Sequence, residues 1–280
     1  MAIRRFIQCD VFTPVPTKGN GLAVVVDGEG LSDAAMQDFA AWTMLAETTF
    51  LLPPATDEAD YKVRIFSPTQ EMPFAGHPTL GSCAAWLHCG GKPRTPGVVR
   101  QECGVGIVTI DTSGPAFAFA APPTSAAPLP DDRHQALAAT LGLAPGRILN
   151  AMHLANGPVW TLFELASAED VLAVDSSKVN YREHGYVGFI GLHPAGGECD
   201  YEVRLLAPSS GASEDPITGS LNAAIARWKY SSGQWQGPVR VAQGTKMGRI
   251  GRVSIRHDSA SDTVWIGGQT CVLIEGTVNL

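Results

Sequence analysis

Two stretches of this chain repeat each other, and a repeated block must fold twice by the same rules. Val63-Arg64-Ile65-Phe66-Ser67-Pro68 returns 140 residues later as Val203-Arg204-Leu205-Leu206-Ala207-Pro208. Gly76-His77-Pro78-Thr79-Leu80-Gly81-Ser82 returns 138 residues later as Glu214-Asp215-Pro216-Ile217-Thr218-Gly219-Ser220. Each is followed by an alanine-rich stretch, then by Val98-Val99-Arg100 or Val239-Arg240-Val241. The expectation is a duplicated α+β unit. With 280 residues, and about 150 per domain as the usual measure, the chain divides into an N-terminal half, 1–120, and a C-terminal half, 131–280. The proline- and alanine-rich segment 121–130 serves as linker, and the last strand is free to cross over to the N-terminal half.

Each half is expected to wrap a curled, mostly antiparallel sheet around one central helix. Proline is favoured at the first helical position, where its missing N–H costs nothing, so Pro78 and Pro216 mark two helix starts, with His77 and Asp215 in the capping slot. Leu80, Ala84 and Leu87 share one face behind the first proline; Ile217, Leu221, Ala224 and Trp228 share one behind the second. Gly90-Gly91 ends the first helix. A further helix starts after Ser32, a good N-cap, with Met36, Phe39 and Ala40 facing inward. Ten short apolar runs read as strands, from Phe6–Phe12 to Cys271–Val278.

Composition narrows the function. The chain is 45% hydrophobic and 17% charged, enough apolar material for a full core. Its net charge of −7 and pI near 5.5 lack the basic field that nucleic-acid binding uses. The six cysteines contain no C-x-x-C pair, which argues against a structural zinc site. No apolar run approaches the ~18 residues of a membrane span, and no signal peptide is visible; a cytoplasmic protein is expected. Phosphate-cradling and dinucleotide-binding glycine motifs and the G-x-S-x-G nucleophile elbow are missing from the sequence.

Related halves place a ligand at their shared cleft, and two converging helix N-termini would attract an anion such as a substrate carboxylate. His77 is a poor N-cap, and histidine is the residue type that titrates nearest neutral pH, which favours a functional role. Asp215 is an excellent cap, so structural and substrate-binding roles weigh equally. Glu47 lies between Met44-Leu45-Ala46 and Thr48-Thr49-Phe50-Leu51-Leu52, an apolar neighbourhood that suits a carboxylate to acid/base work. Glu71 and Glu214 beside the helix starts are weaker candidates. Gly19-Asn20-Gly21 is a turn before a strand. Ser82 and Ser220 fall in the first helical turns as possible donors to a ligand.

At these residues the chain resembles the PhzF family of phenazine-biosynthesis-type isomerases, of the diaminopimelate-epimerase-like fold. The resemblance rests on Ala46-Glu47-Thr48-Thr49-Phe50, on Arg64 to Pro68 running into Glu71-Met72-Pro73-Phe74-Ala75-Gly76-His77-Pro78, and on Glu214 to Ser220. It implies two facing α+β units and a homodimer. It implies a cofactor-independent isomerase or epimerase without a metal, acting on a small carboxylate, with Glu47 as the proton-shuttling residue. His77 and Asp215 are the implied catalytic partners; Asn20, Gly76, Gly219 and Ser220 are the implied substrate-binding residues. The paired cysteines of diaminopimelate epimerases and proline racemases are replaced by His77 and Asp215, against two-thiol racemisation. Ala46 stands where many members have serine, and Gly21 where many have proline. A small-carboxylate-binding protein without turnover is the alternative on the same scaffold.

Overall fold

A computed structural model describes residues 2–179, 181–207 and 214–280; Pro208, the last residue of the second repeat block, lies outside them. In chain order the strands are β1 (Ile3–Val11), β2 (Asn20–Val25), β3 (Glu47–Leu52), β4 (Tyr61–Phe66), β5 (Glu71–Met72), β6 (Val98–Cys103), β7 (Gly106–Asp111), β8 (Phe117–Ala120), β9 (Ser125–Pro128), β10 (Ile148–Ala155), β11 (Val159–Leu165), β12 (Tyr186–Leu192), β13 (Tyr201–Leu206), β14 (Val239–Gln243), β15 (Gly251–Asp258), β16 (Thr263–Gly268) and β17 (Thr270–Asn279). The helices are α1 (Asp33–Thr43), α2 (Gly76–His88), α3 (Asp131–Leu141), α4 (Ala168–Ala173), α5 (Tyr181–His184) and α6 (Gly219–Ser231). Sheet dominates, as expected of this α+β class.

Contacts gather the chain into two compact units, Met1–Ala120 with Gly267–Leu280, and Ala121–Ile266. In the first, β17 pairs antiparallel with β1 along most of its length. From β1 the order runs β1-β2-β3-β4-β6-β7, with pairings antiparallel, parallel, antiparallel, parallel, antiparallel. In the second unit, β10-β11-β12-β13-β14-β15 repeats that alternation. One detail fixes the equivalence. Asp60 accepts from the Arg100 amide at 2.7 Å and donates its own amide to the Arg100 carbonyl at 2.8 Å; Asp200 and Arg240 repeat both bonds at the same lengths.

Residues 121–130 are not a free linker. Residues 125–128 form β9, which pairs with β10, and Leu129 is buried in a core with Leu137, Phe163, Phe189 and Leu206. Proline and alanine tolerate an edge strand, because an edge leaves one side of the backbone without ladder partners. In the first unit the core joins Val25, Met36, Phe39, Ala40, Phe50 and Phe66. Phe50 meets Phe66 edge-on at 5.6 Å, the geometry that ring quadrupoles favour by about 0.5–1.5 kcal/mol. Helix α1 begins where its sequence places it: Ser32 accepts from the Ala35 amide, and Met36, Phe39 and Ala40 are buried.

The two central helices start elsewhere than their prolines suggest. α2 is capped by Ala75 and α6 by Thr218, so His77 is the second helical residue and Asp215 lies four residues before its helix. Proline fits anywhere in a first turn, not only at its first position. Ahead of α6 the backbone stays out of the helix because its amides have other acceptors: Asp215 donates to the Leu205 carbonyl and Thr218 to Gln243, both at 3.0 Å. Both helices have 13 residues, and Gly90 and Gly233 close them with positive φ. The helices therefore correspond at an offset of 143, and His77 is matched by Ser220 rather than by Asp215. Burial is also wider than one stripe: Cys83 and Ala85 join Leu80 in the α2 core while Ala84 and Leu87 are half-buried.

Candidate functional site

Because β2 and β3 run parallel with Leu22 opposite Glu47, their first residues, Asn20 and Glu47, stand at one end of the sheet. Helix α2 starts there too. The Glu47 backbone arrives through a tight exit from α1: Met44 is left-handed with φ 56°, and the Thr43 and Thr48 hydroxyls bond across the turn at 2.9 Å. Ser82 and Thr49 join α2 to β3 at 2.9 Å. Ser82 is thus the seventh residue of its helix and wholly buried, not a first-turn donor to a ligand.

Glu47 Oε2 lies 3.3 Å from His77 Nε2, with side-chain exposures of 16% and 5%. The other ring nitrogen, Nδ1, is 3.3 Å from Asn20 Nδ2. Burial pushes the His77 pKa down to about 3, so the ring is neutral near pH 7. Nε2 is buried and its approach to Glu47 is not aligned as a full hydrogen bond. Leaving a buried polar group short of a partner costs about 1–3 kcal/mol, and a donor or acceptor atom beside it, from substrate or water, would recover that cost. Gly76, the first residue of α2, is buried beside it, and the helix N-terminus favours negative charge there. A carboxylate, a neutral imidazole and helix-end amides together can move a proton and hold an anionic group.

Asp215, Gly219 and Ser220 belong to the second unit. Thr218 Oγ1 donates to Asp215 Oδ2, Gln243 Nε2 donates to Thr218 Oγ1 at 3.0 Å, and Asn222 donates to Gln243 Oε1 at 2.9 Å. The Ser220 carbonyl, at the second residue of α6, accepts from Asn156 Nδ2 at 2.8 Å, and Asn156 Oδ1 accepts from Trp160 Nε1 at 2.9 Å. Gly219 is the buried first residue of α6. Asn156 and Gln243 escaped the sequence reading; an Asn-Gly turn mirroring Gly19-Asn20 was the available signal for the first. Glu71 and Glu214 are structural: Glu71 pairs with Arg64 at 2.6 Å, and Glu214 with the buried Arg204 at 2.9 Å. A cavity of about 810 Å³ in the first unit has Lys62, Arg64, Glu71 and Cys103 in its wall and is lined by none of Asn20, Glu47, Gly76 and His77. Among the described residues no group of three or more His, Cys, Asp or Glu could hold a metal ion.

The comparisons with known proteins agree with this architecture. The profile of the phenazine biosynthesis-like protein family, PhzC-PhzF, matches residues 9–276. Antisense-enhancing sequence 1 of Schizosaccharomyces pombe is 32% identical over 293 residues, covering 99% of each chain. Trans-2,3-dihydro-3-hydroxyanthranilate isomerase of Pseudomonas aeruginosa is 29% identical over 291 residues, covering 99% of this chain and 100% of the relative. The solved structure of a predicted epimerase from Pseudomonas aeruginosa superposes with a TM-score of 0.81 at 26% identity, over 99% of both chains. Duplicated units of alternating antiparallel and parallel pairings, each with a central helix, define a protein of the diaminopimelate-epimerase-like fold, and the named relatives make it an isomerase. The chain belongs to the phenazine biosynthesis-like PhzF family.

Proposed function

We propose that this isomerase works without a cofactor, shuttling a proton between two carbons of a small cyclic or amino-acid-like carboxylate. Trans-2,3-dihydro-3-hydroxyanthranilate, the compound in the name of the Pseudomonas aeruginosa relative, is the first substrate to test. Ionised Glu47 takes a proton from one carbon, leaving the electron pair delocalised over the adjoining π-system. Protonated Glu47 then returns it to a second carbon, so that atoms and charge balance with no redox step. His77 stays neutral and serves as a hydrogen-bond donor. Asp215 is the third catalytic group, and Gly76, Gly219 and Ser220 bind substrate through helix-end positions. The observation that carries this reading is the 3.3 Å approach of a mostly buried carboxylate to a neutral imidazole at the start of α2. Six free cysteines suit a reducing cytoplasm, and family likeness suggests a homodimer, which sedimentation velocity would test.

The decisive experiment is turnover of that compound in deuterated water. The wild type should incorporate deuterium at carbon, and Glu47→Gln should lose at least about 100-fold of that rate, the usual scale of general acid–base catalysis. Undiminished exchange in Glu47→Gln would place the base elsewhere. Saturable binding with no exchange in the wild type would favour a carboxylate-binding role instead.

A further inference from the structure

The hydrogen bond between Asn20 and His77 has a chemical consequence. An amide nitrogen only donates, so Asn20 Nδ2 facing His77 Nδ1 at 3.3 Å requires Nδ1 to be the ring's acceptor. A neutral imidazole carries one proton, which must then sit on Nε2, the atom 3.3 Å from Glu47 Oε2. The opposite tautomer would set a nitrogen lone pair against a carboxylate oxygen. Burial of His77 removes the third possibility, an imidazolium protonated on both nitrogens.

Asn20 is itself held by built structure. It is 2% exposed and opens β2 opposite Val11 of β1. The preceding amide, of Gly19, donates to Asp10 Oδ2 at 2.9 Å. A Cβ on Gly19 would meet the Val11 carbonyl oxygen at 2.3 Å, so only glycine lets the turn come this close. The second unit repeats the device on a different atom. Asn156, in the turn between β10 and β11, donates to the carbonyl of Ser220 at 2.8 Å, and Ser220, like His77, is the second residue of its central helix. In both units a turn asparagine holds that helical position; in the first it holds a side chain that can titrate.

From this we infer that Asn20 is a positioning residue rather than a substrate-binding one: it fixes His77 as the Nε2–H tautomer, so that the nitrogen 3.3 Å from Glu47 Oε2 carries the proton and can donate to substrate atoms beside it. The inference rests on the proton-transfer reading above and assigns Asn20 its part in it.

The test needs no ligand. In protein labelled with ¹⁵N-histidine, the His77 signals, identified by their loss in His77→Gln, should report an unprotonated Nδ1 and a protonated Nε2. That pattern should hold across about pH 5 to 8, where a free histidine titrates. Asn20→Asp, which replaces the donor by an acceptor, should move the proton to Nδ1, and Asn20→Ala should give a mixture. With trans-2,3-dihydro-3-hydroxyanthranilate as probe, Asn20→Asp should lower kcat by about 10–100-fold, the scale seen when the partner that orients a metal-ligating histidine is removed, with KM nearly unchanged. A wild-type His77 protonated on Nδ1, or an Asn20→Asp protein with an unaltered tautomer and a raised KM, overturns the inference. Should the variants not fold, the wild-type spectrum alone decides. The two readings fail separately: the tautomer can be as stated while Glu47→Gln still exchanges, which removes the shuttle and leaves Asn20's role on His77 standing.

Discussion

His77 couples the site to the acid stability of the fold. Its pKa falls from an ordinary 6.5 to about 3 on burial, so in that interval the unfolded chain binds a proton that the folded chain refuses. Stability from this group is fully present above pH 6.5 and is lost as pH falls through about 3, by linkage. The urea midpoint of the wild type should therefore drop across this window, and that of His77→Gln should drop less; equal slopes would assign the acid sensitivity to other groups. Two neighbouring glycines make a second residue-scale prediction. Gly19→Ala drives a Cβ into the Val11 carbonyl oxygen, whereas a Cβ at Gly21 meets Leu45 Cδ2 at 3.6 Å, ordinary contact. Gly21→Ala should be neutral or stabilise by up to about 1 kcal/mol through the unfolded chain, and Gly19→Ala should lower both Tm and turnover. Residue type made Glu47 and His77 legible in the sequence, since a carboxylate in an apolar run and a histidine at a helix start both ask for a reason. Asn20 was legible only as a turn residue, because what its amide touches lies 57 positions away.

The repeat shows how one sequence element is used at two depths. Arg64 and Arg204 occupy equivalent places on β4 and β13, and each makes a two-pronged pair with a glutamate, Glu71 or Glu214. The Arg64 side chain is 21% exposed and its partner 44%, while Arg204 and Glu214 are 1% and 4% exposed. Arg204 also donates to the Val171 and Val174 carbonyls of the α4 segment. Removing one member of a buried pair strands a charge, at about 3–5 kcal/mol, whereas an exposed pair contributes about 0–1 kcal/mol. Denaturant titration of Glu214→Gln should reveal the larger loss and Glu71→Gln the smaller; equal losses would mean that the buried pair relaxes into water. Identical motif letters hid this difference, since burial is set by what packs over a strand. Elements with mixed patterns also escaped sequence reading: β10 carries Asn150 and His153 among its apolar residues, and α3 follows Pro130, an N-cap that offers no side-chain bond.

Across the whole molecule the chain's two ends are strand partners, β17 lying along β1 from Thr270 opposite Val11 to Asn279 opposite Ile3. A chain truncated after Ile266 loses that partner, and β1 becomes an unpaired edge with one row of backbone groups unmet. Hydrogen exchange should show protection lost in β1 and β2 and retained in β11 to β13; unchanged protection in β1 would mean that β2 alone holds it. The repeat, the strand runs and the Ser32-capped helix were determined by the sequence, because periodicity, caps and turn residues act over a few positions. The five-residue shift between motif and helix offsets, the exchange of Asp215 for Ser220 as the repeat counterpart of His77, and the place of residues 125–128 in a sheet were decided by tertiary structure. Those features depend on which distant acceptor takes each backbone N–H, and no local pattern carries that information.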